Sequence, residues 1–401
     1  MVATMRAQGV EANRGGIDAA CAGGARWLAG AMPPVPPPLT NPPPRRCVRL
    51  RELVELTGGR WIPRMPEGRV VYAPPTLVAP EGDGGAATRA FFAGLAAEDF
   101  AEEGTAWLPA GRVLGDGNVL SADGDLLARD VAPDFGKPFE QHWLLQRDWV
   151  RPPLKQPGGV VAVAVSHLGQ TYAHWLLDEM PRLLALRATG DLARAAVVYA
   201  HAGTALTEVA HRRLGIEGQV VAAGRSTHFQ AGPLIVPNYV GRPGFPRPEG
   251  VAALRDFAAG LGRDAAGVGE KIYVSRAGAR RRRVVGEEAL RAELEARGFV
   301  TVRLEERSWA EQIALFRAAR EVVAPHGAGL ANLVFCAPGT RVVELFARDY
   351  VNPCYWRWAA LGGLDYRPVV AEGLGELREE RTAKGTDIAV EVGTVLAAVR
   401  G

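Results

Sequence analysis

The stretch Val322-Val323-Ala324-Pro325-His326-Gly327-Ala328-Gly329-Leu330-Ala331-Asn332 decides how this chain is read. A short apolar run is a buried strand, the glycines let the backbone turn tightly, and the residues from about Leu330 open a short helix. The exposed N–H groups at the head of such a helix carry roughly half a positive charge and favour a phosphate or diphosphate. By spacing the stretch is Gly-x-Gly-x-x-Asn, with Asn332 where a dinucleotide-binding fingerprint has its third glycine. It also lies late in the chain rather than after a first strand. Alone it fits an anion site and a tight structural turn equally well.

Two neighbours favour the anion site. Glu344 stands inside the apolar run Val342-Val343-Glu344-Leu345-Phe346. A carboxylate there either reaches the open end of the sheet or is buried at a cost of about several kcal/mol. A ribose diol is a natural partner for it, and a salt bridge to a nearby Arg is the plainer alternative. Tyr273-Val274-Ser275-Arg276 ends an earlier strand with a hydroxyl and a guanidinium, both projecting toward the edge where ligands of open α/β sheets bind. Arg280 to Arg283 follow in a loop. Arg pairs bidentately with phosphate, but a run of four reads most simply as solvated.

Working outward, strands and helices alternate. Lys271–Ser275, Phe299–Leu304, Glu321–Ala324 and Arg341–Leu345 read as strands. Glu287–Arg297 is a helix with Leu290 and Leu294 on one face and Gly298 placed as a left-handed cap. Ser308-Trp309-Ala310-Glu311 is a capping box opening a helix with Trp309, Ile313 and Phe316 on one face. Upstream, Val160–Val165, Ala196–Ala200, Gln219–Ala222 and Leu234–Val236 read as strands, with helices over Tyr172 to about Leu186 and up to Leu214-Gly215. Such alternation means parallel sheets with helices packed on them. Residues 45 to 157 give a mixed signal: short strands at Arg69–Tyr72 and Arg112–Leu114, and turns at Asp116-Gly117-Asn118 and Asp123-Gly124-Asp125. The second turn is also an Asp-x-Asp string of the kind that holds a metal in some enzymes, although a polar turn explains it. Residues 1–44 end in a Pro-rich run and hold too few large apolar residues to fold.

A chain of 401 residues suggests two domains. We place an N-terminal α/β domain at 45–240, a linker at Gly241–Pro246, a C-terminal α/β domain over 241–370, and a last segment, 371–401, whose helix at Ile388–Val399 returns to the first domain. The net charge of +3, with Arg and Lys scattered among Asp and Glu, argues against nucleic-acid binding. Cys21, Cys47, Cys336 and Cys354 form no CxxC pair, which speaks against structural zinc and for a reducing compartment. No apolar run reaches the roughly 18 residues of a membrane span. Ile17–Met32, interrupted by Arg26, reads as neither signal peptide nor anchor. The expected location is therefore cytoplasmic.

The first half carries its own constellation, Tyr172-Ala173-His174-Trp175-Leu176-Leu177-Asp178-Glu179-Met180-Pro181-Arg182. On a regular helix His174, Asp178 and Arg182 line one face at i, i+4 and i+8. A His beside a carboxylate suits general-base work, because each tunes the other's charge. A surface salt-bridge ladder is the alternative, yet Trp175, Leu176 and Pro181 suggest a crowded cleft.

At these stretches the sequence resembles glycosyltransferase family 61, in its bacterial form often linked to capsular or exopolysaccharide assembly. The resemblance rests on Tyr172–Arg182, Tyr273–Arg276, the Arg-rich loop with its Glu-rich helix, and Ala324 through Phe346. It covers roughly residues 155 to 350. It implies the GT-B arrangement, an α/β fold of two Rossmann-like domains whose parallel sheets face a cleft, and inverting transfer from a nucleotide sugar with no cofactor and no bound metal. It further implies that His326, Gly327, Ala328 and Gly329 lie by the donor diphosphate, with Ser275, Arg276 and Asn332 beside it and Glu344 as ribose or nucleotide contact. Asp178, His174 and Glu179 become the candidate bases, with Arg182 on the acceptor side; the resemblance does not choose among the three. The acceptor is a glycan or a lipid-linked glycan, and a lipid-linked one is compatible with peripheral contact at the inner face of the membrane.

Two other readings compete. A nicotinamide-dependent oxidoreductase needs its fingerprint earlier and an acidic residue about twenty positions past the glycines; Glu344 lies closer to Gly329 than that. A non-catalytic sugar- or nucleotide-binding protein would keep the glycine turn and tolerate loss of His174 and Asp178.

Overall fold

The computed structural model describes residues 43–78, 83–146, 152–262, 269–371 and 386–400. The Pro-rich segment expected to be unfolded lies outside these, apart from Pro43 and Pro44.

The His326-Gly327 turn belongs to a sheet of five parallel strands in the spatial order Val300–Val302, Lys271–Val274, Glu321–Pro325, Arg341–Phe346 and Asp365–Val370. Along the chain this is the order 2-1-3-4-5. The order reverses between Lys271–Val274 and Glu321–Pro325, where connections leave to opposite faces and open a crevice beyond the carboxyl ends of the strands. Both expected helix signals hold. Gly298 takes φ +84° after the helix Glu287–Glu295, and Phe299 N donates to Leu294 O at 3.1 Å. Ser308 caps Trp309–Ala318, its hydroxyl accepting from Glu311 N, and Trp309, Ile313 and Phe316 are buried.

The helix after the glycines differs from expectation. It starts at Ala328 and runs to Phe335 as a 3-10 helix. Such runs rarely exceed a few residues, since their hydrogen bonds are poorer. Here Leu330 to Phe335 are all buried, so packing on every side sustains the tighter coil.

The first half holds a six-stranded sheet in the order Val220–Ala222, Val197–Ala200, Val161–Val163, Leu234–Pro237, Glu103–Leu108 and Arg60–Met65. The first four are parallel and the last two join antiparallel. Along the chain the parallel part reads 3-2-1-4, so its order reverses between Val161–Val163 and Leu234–Pro237. The mixed signal of residues 45 to 157 now has a cause. This region adds the last two strands of the six-stranded sheet, four strands of a separate five-stranded sheet completed by His228–Ala231, and a two-stranded ribbon, Gly68–Val71 with Ala97–Phe100. Both expected hairpins are present in the five-stranded sheet. Asp123 accepts from Ser121 Oγ and Asp125 N, as a turn requires.

The last helix, Val392–Arg400, packs on Glu287–Glu295 and on the strands Arg341–Phe346 and Asp365–Val370 rather than crossing to the first half. Val395 and Val399 fill an apolar face shared with Val343 and Leu345, which is why it docks there. Another apolar cluster is continuous between the halves, joining Trp175, Met180 and Leu183 to Trp309, Phe316 and Leu330.

Candidate functional site

The two switch points carry the residues singled out from sequence. In the second sheet Arg276 follows Lys271–Val274 and His326 follows Glu321–Pro325. Gly327 is extended at φ 180°, a conformation open to any residue, so its lack of a side chain matters for another reason. A Cβ there would lie 2.1 Å from Nη1 of Arg276. Glycine is what lets the guanidinium lie against the turn. Arg276 Nη2 donates to Arg281 O at 3.1 Å, and among the described residues no carboxylate lies within ion-pair distance of it. Burial, and then the neighbouring Arg282, push its pKa below the usual range.

His326 is buried between rings, stacked on Phe346 at 5.2 Å and flanked by Tyr350 and Tyr355. Its Nδ1 lies 2.5 Å from Glu344 Oε1, and Tyr366 donates its hydroxyl to Glu344 Oε2. Both oxygens of Glu344 are therefore taken inside the protein, at 0% exposure. The expected ribose contact is replaced by an inward role: Glu344 fixes the ring of His326 and directs Nε2 away from itself. Burial holds the His326 pKa below the ordinary imidazole value despite Glu344. The neutral ring then presents Nε2 as an acceptor.

Two further expected donor contacts also turn inward. Asn332 is fully buried, accepting from Tyr172 OH at 2.5 Å and donating to Gln312 Oε1 and Gly329 O. Ser275 Oγ accepts from Ala277 N at 3.2 Å and shapes the turn before the Arg-rich loop. Ala328 and Gly329 open the 3-10 helix, and Gly329 passes so close to Leu304 that a Cβ would meet its Cδ1 at 2.6 Å.

In the first half the helix beginning at Tyr172 is not regular. A π-helical turn, Trp175–Glu179, separates Tyr172–His174 from Met180–Ala188. His174 and Asp178 still meet, Nδ1 to Oδ2 at 2.6 Å, but the wider turn rotates the residues beyond Glu179. Arg182 leaves the expected ladder. It is fully buried and donates to the carbonyls of Val163, Val165 and Pro237, tying the ends of two strands together. That leaves it no face for an acceptor. Glu179 is likewise sealed, accepting from Ser166 N, His201 N and His201 Nδ1 at 2.9, 2.7 and 2.6 Å. Of the three candidate bases, His174 alone is substantially open, its side chain 31% exposed against 7% for Asp178. Burial raises the pKa of Asp178, with His174 opposing. The arrangement is an imidazole facing outward with a carboxylate behind it. Phe135 lies against both His174 and His167, ring centroids 6.1 and 6.0 Å apart.

The two clusters are neighbours. Tyr172, at the head of the His174 helix, bonds Asn332 in the 3-10 helix and accepts from Trp309 Nε1 at 3.1 Å. Cys354, half-buried, lies within electrostatic range of both Glu344 and Asp178, and its thiol pKa is pushed up by desolvation and by each of them. Sequence reasoning missed His201, Tyr366 and the inward role of Tyr172. His201 had one signal, its place just past the parallel strand Val197–Ala200. Tyr366 had none.

Residues 172–343 match the family model described as Glycosyltransferase 61. That match supports glycosyltransferase family 61 for this stretch of the chain. The match opens at Tyr172 and spans His174, Asp178, Arg276 and the His326-Gly327 turn, ending one residue before Glu344. The match supports glycosyltransferase activity, with a sugar donor and a glycan acceptor in general terms. No curated protein matches the chain. Among the described residues, no helix is long and apolar enough to cross a membrane, and no group of three or more His, Cys, Asp and Glu is placed to hold a metal ion.

Proposed function

We propose that this protein is an inverting family 61 glycosyltransferase of the GT-B type. It moves a sugar from a nucleotide-sugar donor to a hydroxyl of a glycan or lipid-linked acceptor in polysaccharide assembly. Residues 45–240 form the acceptor-side domain and 241–370 the donor domain, with the last helix on the donor domain. One observation carries the reading: the reversal point of the 2-1-3-4-5 sheet brings Arg276 against Gly327 and beside His326, and the His174–Asp178 pair lies next to it.

In the proposed reaction His174 Nε2 takes the proton from the acceptor hydroxyl, and Asp178 holds the ring and stabilises the imidazolium that forms. The acceptor oxygen bonds to the anomeric carbon as the bond to the departing diphosphate breaks. Arg276 and the N–H groups at the head of the 3-10 helix stabilise the charge on that leaving group. These cations and dipoles do the work that a divalent metal does in other transferases, so we propose that none is required.

A thermal-shift screen against UDP-, GDP-, CMP- and dTDP-sugars, with NAD(P) as control, tests the reading. A donor at about a hundred times its Kd adds roughly 2.7 kcal/mol. The expected result is a shift with one nucleotide sugar that is lost in Arg276→Ala and insensitive to EDTA. A response to NAD(P) alone overturns the proposal. Asp178→Asn is expected to keep donor binding and lower turnover by roughly 10²- to 10⁴-fold.

A further inference from the structure

The run Arg280 to Arg283 looks uniform in sequence, and the structure divides it. Arg280 and Arg281 are exposed. Arg283 is paired with Asp387, Nη2 to Oδ2 at 2.7 Å. Arg282 does something else. Its backbone sits in the left-handed region at φ +56°, which residues with a side chain seldom adopt. That turn directs the half-buried side chain back over the face of Tyr350, 5.5 Å from the ring centre, with Nε sealed from solvent and unpartnered. There it lies within electrostatic range of Arg276, His326 and Tyr355.

Two guanidiniums thus converge on the same turn, and among the described residues no carboxylate forms an ion pair with either. Glu305, the acidic group nearest in effect to Arg276, is bound to Arg303 at 3.1 Å. Glu344, the other nearby carboxylate, is spent on His326 and Tyr366. Like charges held together without a counterion repel, and a left-handed backbone at Arg282 maintains them; a bound anion would offset both costs.

We propose that Arg282, together with Arg276, forms a two-guanidinium clamp on the phosphates of a ligand bound at the His326-Gly327 turn. The clamp rests on the donor reading for the identity of that ligand, a nucleotide diphosphate, but not for its charge. Arg276 approaches from the Gly327 side and Arg282 from the Tyr350 side, so each guanidinium can take phosphate oxygens the other does not reach. The same pair retains the diphosphate after the glycosidic bond has formed.

The test is calorimetric titration of the full chain with inorganic pyrophosphate and with UDP, GDP and dTDP, beside melting of the unliganded protein at low salt. Arg282→Gln is expected to weaken diphosphate binding roughly tenfold or more. Its unliganded Tm should be unchanged or higher, because one of two facing cations has gone. Arg282→Gly, which also relieves the backbone, should melt higher still and bind as weakly. Arg280→Gln and Arg281→Gln should bind like the parent. Unchanged binding in Arg282→Gln overturns the clamp and leaves the donor site standing. A joint fall in binding and Tm also overturns it, making Arg282 a strut of its loop. Pyrophosphate binding that needs Arg282, with no response to UDP, GDP or dTDP, upholds the clamp and removes the donor reading. No binding of any diphosphate by the parent protein overturns both.

Discussion

His326 owes its orientation to two residues that face no ligand. Glu344, itself held by the Tyr366 hydroxyl, takes Nδ1 from behind and leaves Nε2 as the ring nitrogen open to another partner. Tyr366→Phe leaves one buried carboxylate oxygen without its hydroxyl, a loss of about 1–3 kcal/mol that chemical denaturation will read. If Glu344 acts through the ring, Glu344→Gln should change the pH profile of turnover, whereas a direct ribose contact would instead raise the donor KM. Gly327 works through the space it leaves. The backbone there accepts any residue, so the Tm of Gly327→Ala should barely move, but the new methyl displaces the Arg276 guanidinium. Donor affinity should then fall about as far as in Arg276→Ala, which a binding titration checks.

At the scale of elements, the helix from Tyr172 to Ala188 does two jobs because of its π turn. Before and within the turn it presents His174 with Asp178 behind; after it, Arg182 is swung into the sheet. Arg182→Leu exposes the Val165 and Pro237 carbonyls to an apolar neighbour, at about 1–3 kcal/mol for each acceptor left unpaired. A lower Tm without a change in donor Kd is the expected pattern. The Glu179–His201 pair fastens the loops after two neighbouring strands. Burial opposes the charged ring of His201, but Glu179 outweighs it and the net pKa is raised. A raised folded pKa means that this contribution is full below the unfolded value, about 6.5, and fades as pH climbs through the folded one. The Tm difference between the parent and His201→Gln should therefore shrink as pH rises from about 5 to about 9.

Across the whole molecule the halves share apolar side chains and a buried chain of hydrogen bonds. Trp175 and Trp309 meet edge to face at 5.2 Å, beside the Trp309–Tyr172–Asn332–Gln312 chain. Large apolar interfaces inside a chain resist relative domain motion. Calorimetry should accordingly show one cooperative transition rather than two, and Tyr172→Phe, which leaves Asn332 Oδ1 unpaired, should lower it without splitting it. Separate melting of the halves would show that the shared core contributes little.

The sequence by itself determined the alternation of strands and helices, because that rests on local patterns. Val322–Ala324 is a short apolar run, Ser308 and Glu311 form a cap within one turn, and Gly298 follows its helix directly. It also singled out both candidate stretches, since the glycines and the His174–Asp178 spacing are local. What Glu344, Asn332, Arg182 and Glu179 do was decided only by tertiary structure. Each is a polar residue in an apolar setting, and sequence shows that such a group needs a partner without showing which. Their partners Tyr366, Tyr172, Pro237 and His201 come from distant segments. The π turn and the long 3-10 helix are likewise packing decisions, small backbone adjustments made to seat side chains that no local propensity encodes.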